Sequence, residues 1–426
     1  MLIHTVKSGD TLISIANSYG ITPTLLQRLN DVPNPQQLVV GQKLVILIPE
    51  ITHYVTQGET LNSIAVQYNI TAVEILQNNP GIIDENIYQG EQLVIKYQDE
   101  NNTQTIITNG YTYTTIDNNT LLRTLPYLTF LTIFTYGFNE NGQLVEANDE
   151  YLIKTAKAYG VAPIMLISTL TEKGNFSNEL AGFLMANPEI QDILIDNILI
   201  TIEKKGYYGL DIDFEYIPQQ YAQEFANFIS KATTRLNEKG YICMVALAPK
   251  TSGTQAGLLY EAHNYALAGN AANLTLLMTY EWGYAYGPPM AVAPINNVER
   301  VISYGVSEIP SQKILMGIPM YGYDWPLPFI RGETTAISLS PQQAIELALR
   351  TGSEISYDTN SQAPYFYYSR DNIQHVVWFE DASSVFARTK LIAKYNLSGG
   401  GFWNINRYFP QCWLVMNNQF KIAKIQ

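Results

Sequence analysis

The chain is poor in the residues that staple or metallate small proteins. It has two cysteines in 426 residues, Cys243 and Cys412. One pair cannot form a disulfide framework, and these two fall in no CxxC spacing, so reduced, packed thiols are expected. The four histidines, His4, His53, His263 and His375, are scattered, and no metal site of zinc type is legible. Basic side chains are outnumbered, 25 against 38, for a net charge of −13. Phosphate repels such a surface, which argues against nucleic acid or an anionic membrane as the main partner. No apolar run reaches the roughly 18 residues of a membrane helix, so no membrane span is expected. Met1 opens directly into a polar, periodic segment, so no leader is expected either, and synthesis is placed in the cytoplasm.

What is present is a large apolar fraction, 46%, enough for one large domain and something smaller. Aromatics make up 12%, with 30 tyrosines. A tyrosine ring can stack on a pyranose while its hydroxyl reaches a sugar OH, although ordinary half-buried packing accounts for most of them.

An internal repeat organises the first hundred residues. The run His4-Thr5-Val6-Lys7-Ser8-Gly9-Asp10-Thr11-Leu12 returns as His53-Tyr54-Val55-Thr56-Gln57-Gly58-Glu59-Thr60-Leu61, at a constant offset of 49. The register continues through Ile15/Ile64, Ala16/Ala65, Tyr19/Tyr68, Asn30/Asn79, Gly41/Gly90 and Leu44/Leu93. Each unit reads as strand, glycine turn, helix, helix and closing strand, with Thr11 and Thr60 as helix caps. The V-x-x-G-[DE]-T-L opening, the I-A pair, the Asn and the G-x-x-L-x-I close resemble LysM modules, at 1–49 and 50–97. That resemblance implies a βααβ fold and binding of N-acetylglucosamine-containing glycan, in a groove that points to Gly9, Asp10, Thr11 and Asn30. In the second unit it points to Gly58, Glu59, Thr60, Asn79 and Pro80. With four basic and eight acidic side chains in residues 1–97, charge attraction is not what holds an anionic polymer. Residues 98–104 are polar and aperiodic and read as a linker, and the modules are expected to retain the enzyme on polymer without taking part in turnover.

From residue 105 onward, strand-like runs alternate with helical patterns. Strands read at 105–113, 128–136, 163–169, 209–215, 241–248, 274–280, 314–320 and 400–403. Eight such units favour an α/β fold with a closed (β/α)₈ TIM barrel at 105–426, which typically needs about 250 residues. The Tyr- and Ser-rich stretch at about 330–380 is too long for a simple loop and reads as a small inserted α+β subdomain.

The most informative stretch is Gly209-Leu210-Asp211-Ile212-Asp213-Phe214-Glu215. Alternate residues of a strand share a face, so Leu210, Ile212 and Phe214 pack outward while three carboxylates point into the barrel. Burying acids costs several kcal/mol each unless they share protons or hydrogen bonds. Glu215 ends the fourth strand, on the face where barrel enzymes do chemistry, and burial beside other carboxylates should raise its pKa toward that of a general acid. Chelation of a divalent cation by the same D-x-D-x-E remains a rival reading.

The stretch resembles the D-G-x-D-x-D-x-E signature of glycoside hydrolase family 18, over about residues 105–426. The resemblance implies Glu215 as proton donor, Asp213 as the group that orients the substrate's 2-acetamido group, and Asp211 as its proton-sharing neighbour. Tyr208 stands where the signature has its first Asp. Met278-Thr279-Tyr280-Glu281 is similar to the family's M-x-Y-D, with Tyr280 on the acetamido carbonyl and Glu281 where Asp is usual. Gly400-Gly401-Phe402-Trp403 is similar to the eighth strand, whose Trp floors the sugar subsite, and Gly317-Ile318-Pro319-Met320-Tyr321-Gly322 to the seventh. Tyr321 and Tyr136, the latter ending the second strand, are further candidates for sugar contact.

An ordinary retaining glycosidase places a second carboxylate about 5–5.5 Å from the acid. The family resemblance implies instead that the substrate's acetamido oxygen attacks, with no cofactor. Paired LysM modules before such a barrel resemble the spore cortex-fragment-lysing glucosaminidases of spore-forming bacteria. This implies peptidoglycan as substrate and spore coat or cortex as destination; a monomer is expected. The alternatives are a chitinase and a lectin-like barrel that binds glycan without cutting it.

Overall fold

A computed structural model of the chain describes residues 1–425 apart from 33, 84, 99–103, 172 and 175. The expected linker, 98–104, therefore lies mostly outside the described residues. Both N-terminal units fold as βααβ. The first comprises strand Leu2–Thr5, helices Leu12–Ser18 and Pro23–Asn30, and strand Lys43–Ile46. The second comprises Pro49–Tyr54, Leu61–Tyr68, Ala72–Asn78 and Gln92–Tyr97. In each, the two strands pair antiparallel. Thr11 and Thr60 start their helices in capping boxes, each hydroxyl accepting from the amide three residues on while Ser14 or Ser63 accepts the cap amide. Gly9 and Gly58 precede them at φ +88° and +84°, a conformation that glycine adopts without a Cβ clash.

The larger domain is a closed parallel barrel. Its first strand, Thr105–Tyr113, bonds on one side to the second, Phe130–Phe138, and on the other to the eighth, Gly399–Trp403, which completes the ring. Strands three to seven are Ala162–Ser168, Gly209–Asp213, Ile242–Leu247, Leu274–Leu277 and Ile314–Pro319. The fourth and sixth end earlier than their apolar alternation predicts. The last partner of the fourth strand in the ladder is Ser168 opposite Asp213, so Glu215 stands just past the strand on the loop side. Tyr280 and Glu281 likewise follow the sixth strand, and Glu281 turns the chain with φ +66°.

The insertion between strands seven and eight begins at Gly322, earlier than expected, because Gly322–Pro326 leaves the barrel to join a separate antiparallel sheet. Its order is Ile337–Leu339, Gly322–Pro326, Ile373–Trp378, Ala363–Arg370 and Ser356–Asp358, backed by helix Pro341–Thr351.

The modules are not tethered beads. Buried side chains of the first unit, such as Leu26, Leu29 and Val45, run without a break into the barrel's core. Helix Pro410–Gln419 lies between them, and Gln411 donates to Asn30 Oδ1 at 2.9 Å and to the Lys43 carbonyl at 2.8 Å. The second unit is tied in by Gln77 Nε2 to the Pro126 carbonyl, 2.9 Å, and by the Tyr127 hydroxyl to the Gln77 carbonyl, 2.8 Å. The first unit also touches the insertion, where the Ile355 amide donates to the Val40 carbonyl. A Cβ at Gly41 would come within 1.8 Å of the Ile355 carbonyl oxygen, so that contact requires glycine. The first module and the barrel thus share an apolar core.

Candidate active site

The fourth strand positions the acids by alternation. Leu210, Ile212 and Phe214 are fully buried on the helix side, where Phe214 stacks on Phe225 and Phe228. Asp211 points inward, and its Oδ2 accepts a 2.7 Å hydrogen bond from the Tyr111 hydroxyl on the first strand. Burial pushes the Asp211 carboxyl up to about 6, although the Tyr111 bond opposes this. Asp213 is raised well above the carboxylate range, first by burial and then by the charges of Glu215 and Asp211. Glu215 is raised by burial and next by the charge of Glu281. One oxygen each of Asp211 and Asp213 is buried with no partner among the described residues. Burial and crowding thus shift these carboxyls upward, the direction a general acid requires.

The surrounding strands complete the pocket. The Tyr280 ring is buried, and its phenol lies in the field of all four carboxylates, Asp213 and Glu215 foremost. Gly317 makes room for it, since a Cβ there would meet the ring at 2.8 Å. Glu281 Oε1 accepts from the hydroxyls of Tyr321 and Tyr323, the latter at 3.0 Å from the first strand of the insertion. Trp403 closes the eighth strand half-buried, edge-on to Phe134 (5.2 Å between centroids) and Tyr113 (5.8 Å). The sequence-derived residues Asp211, Asp213, Glu215, Tyr280, Glu281, Tyr321 and Trp403 thus gather at the C-terminal mouth of the barrel.

Tyr136 does not join them. It is fully buried among helix-side residues, donating to Asp149 and accepting from Lys205 Nζ at 2.8 Å, with Tyr207 on the same aspartate. The cause is a register irregularity between Ile133 and Tyr136, which turns the alternation over after Phe134 and sends Tyr136 out of the barrel. In the modules, Asn30 and Asn79 are corrected as well. They are 4% and 0% exposed, and each bonds both ends of its amide to main chain, across to Val45 and Val94 respectively. They pin the second helix to the closing strand and present nothing to a ligand. Pro80 is buried too, its carbonyl accepting from Arg123 Nε at 3.2 Å. Gly9, Asp10 and Thr11, and Gly58, Glu59 and Thr60, remain on solvent-facing turns. Their acids are tied locally, Asp10 to His4 (3.0 Å) and Glu59 to His53 (2.9 Å).

Tyr208, in place of the first signature Asp, stacks on Phe130 at the inner end of the strand. The acid row therefore ends inward on the Tyr111 hydroxyl. Tyr111 was legible in principle, since it alternates with Tyr113 on the first strand. His263 was not. It is fully buried, its Nδ1 accepts the Ala248 amide at 2.8 Å, and its Nε2–H donates to the Phe214 carbonyl at 2.9 Å. Burial holds its pKa down to about 4, so the ring is neutral and bridges the ends of strands four and five immediately before Glu215.

The barrel, its acid row and the two small modules correspond to known families. The model for glycosyl hydrolases family 18 matches residues 92–407, and that for the LysM domain matches residues 4–47 and 53–96. The chain belongs to glycosyl hydrolase family 18 and is a glycoside hydrolase. Over its whole length it is similar to the cortical fragment-lytic enzyme of Bacillus subtilis (strain 168), with 41% identity covering 100% of this chain and 99% of that one. The protein of the same name from Bacillus anthracis is 38% identical over 99% of each chain. Among solved structures, the spore cortex-lytic enzyme SleL of Bacillus megaterium QM B1551 superposes with a TM-score of 0.84 at 37% identity, covering 100% of this chain and 99% of that one.

Proposed function

We propose that this enzyme cuts β-1,4 bonds on the reducing side of N-acetylglucosamine in peptidoglycan, on fragments of spore cortex, by a retaining, substrate-assisted mechanism. The observation that carries the chemistry is the buried inward-facing row Asp211, Asp213, Glu215, with raised pKa values and the Tyr280 phenol in its field, at the mouth of the barrel that Trp403 also lines. Glu215 donates its proton to the glycosidic oxygen as the bond from C1 breaks. The acetamido carbonyl oxygen forms the new bond to C1, giving an oxazolinium ion. Asp213 faces the charge that develops on the acetamido nitrogen, and the Tyr280 hydroxyl holds its carbonyl. Water then attacks C1 as the bond to the acetamido oxygen breaks and the amide is restored, Glu215 takes the water's proton, and the anomeric configuration is retained. Glu281 is the other carboxylate near the acid, but two phenols donate to one of its oxygens, which suits it to orienting sugar rather than to attacking it.

Similarity over the whole chain to proteins named for cortex fragments supports the substrate and an association with the spore. The LysM turns around Gly9 and Gly58 are the glycan contacts that supplement the cleft. Replacing Glu215 with Gln keeps the shape and removes the proton, so kcat should fall by more than about 10²-fold with the fold intact. Proton NMR of the first product, before mutarotation, should show the β anomer, and an initial α product would overturn the mechanism. Faster release of reducing ends from chitin oligosaccharides than from cortex fragments would overturn the substrate.

A further inference from the structure

The two LysM modules share a fold but not their surroundings, and the difference falls on one surface. In each module the loop before the closing strand lies beside the turn between the first strand and helix. The Gly41 amide donates to the Val6 carbonyl at 2.8 Å, and the Val6 amide to the Gln42 carbonyl at 2.9 Å. Gly90, Val55 and Glu91 repeat both bonds in the second module, at 2.8 and 2.9 Å. Two loops thus form one surface in each case, Gly9–Thr11 with Val39–Gly41, and Gly58–Thr60 with Tyr88–Gly90.

In the first module the second of these loops is covered. Val39 is 4% exposed and packs in one cluster with Leu339, Ala344, Ile355 and Phe366 of the insertion. The Val40 carbonyl accepts from the Ile355 amide at 2.8 Å, and Lys43 Nζ stands 5.1 Å from the centre of the Tyr357 ring. The turn around Gly9 stays open, but with its neighbour covered it offers a ligand half the surface. At the equivalent position of the second module, 49 residues on, stands Tyr88, 71% exposed. Among the described residues, nothing lies within 4 Å of where a Cβ would stand on Gly58 or Gly90, on either side of it. Val39-Val40 is a pair made for burial, whereas Tyr88-Gln89 is amphipathic and faces water. With acids outnumbering bases in the modules, charge does not draw in a polymer, which leaves stacking and neutral hydrogen bonds. An exposed ring beside bare main chain supplies both to a pyranose that carries hydroxyl and acetamido groups. We propose that the polymer affinity of the LysM pair resides in the second module, with Tyr88 as its stacking residue, an inference that rests on the glycan-binding reading given above. The first module uses the equivalent edge to hold the insertion, whose Tyr323 reaches Glu281.

The test uses the full chain carrying Glu215→Gln, so that polymer is not consumed, and measures its pelleting with insoluble peptidoglycan. Adding Tyr88→Ala should weaken the apparent affinity about tenfold, the worth of one stacked ring, without lowering the melting temperature. Tyr88→Trp should keep the affinity. Gln57→Trp, which crowds the turn of the second module, should also weaken pelleting, while Ser8→Trp at the equivalent place in the first should leave it close to the parent. Equal losses from Ser8→Trp and Gln57→Trp would overturn the division between the modules. Full pelleting by Tyr88→Ala alongside a loss in Gln57→Trp would overturn the role of the ring. If none of these variants alters pelleting, the cleft alone holds polymer, and the glycan-binding reading of the modules has failed together with this inference.

Discussion

At the residue scale, the site is a set of buried carboxyls, two of which, Asp213 and Glu215, are raised by burial and then by neighbouring carboxylates. Glu281 illustrates this, since after burial its charge is what raises the pKa of Glu215. Glu281→Gln removes that charge while leaving an amide for the two phenols. Glu215 should then ionise more readily, and the alkaline limb of the kcat/KM profile should move to lower pH. A limb that stays in place, or moves to higher pH, would mean that the two groups are not coupled in the working enzyme. The triple acid pattern itself was readable because a strand leaves no other geometry for D-x-D-x-E. The identity of its partners was not, because Tyr111 lies 100 residues away and the partner of Glu281 on the insertion, Tyr323, is 42 away.

At the scale of elements, strand ends matter more than strand interiors. His263 ties the end of strand four to the end of strand five, and its two bonds span 49 and 15 residues. His263→Phe fills the space but leaves a buried carbonyl and a buried amide without partners, at about 1–3 kcal/mol each. The variant should melt earlier. Where it remains folded, kcat should fall more than KM rises, because the peptide before Glu215 is no longer held. The pH dependence has a defined sign. The folded pKa of about 4 lies below the unfolded 6.5, so the wild type has this group's full stability above about 6.5 and loses it as pH falls toward 4. The stability gap between wild type and His263→Phe should therefore narrow on acidification, and a gap that widens would contradict the buried neutral ring. Sequence periodicity located all eight strands, yet it put Tyr136 inside the barrel. A single irregularity after Ile133 reverses the facing of every later residue, and no local pattern announces it.

At the scale of the whole molecule, the first module and the barrel share one apolar core, while the second module keeps a core of its own and meets the barrel through Val94, Tyr97 and the Gln77–Tyr127 bonds. Trp413, Leu414, Val415 and Met416, on the helix between them, are all buried. A chain beginning at residue 104 should uncover that helix, lose soluble yield and unfold at a lower temperature than the full protein. A melting point within about 2 °C of the full chain would show that the contact contributes little. Through this shared core the first LysM module, with its exposed turn around Gly9, is packed directly against the barrel.

What the sequence alone determined is what repeats or alternates at short range. The two βααβ units follow from a 49-residue echo of caps, turns and apolar positions. The barrel follows from eight alternations of strand and helix, and the acid row from period two. Only the tertiary structure decided which of the 30 tyrosines meet carboxylates, and that the motif asparagines Asn30 and Asn79 are structural pins. It also brought His263 beneath Glu215 and Ile355 of the insertion against Val40. The physical reason is the same in each case. Hydrogen bonds and charges act over a few ångströms of space, and in a closed barrel the groups that come within that distance are tens to hundreds of residues apart along the chain.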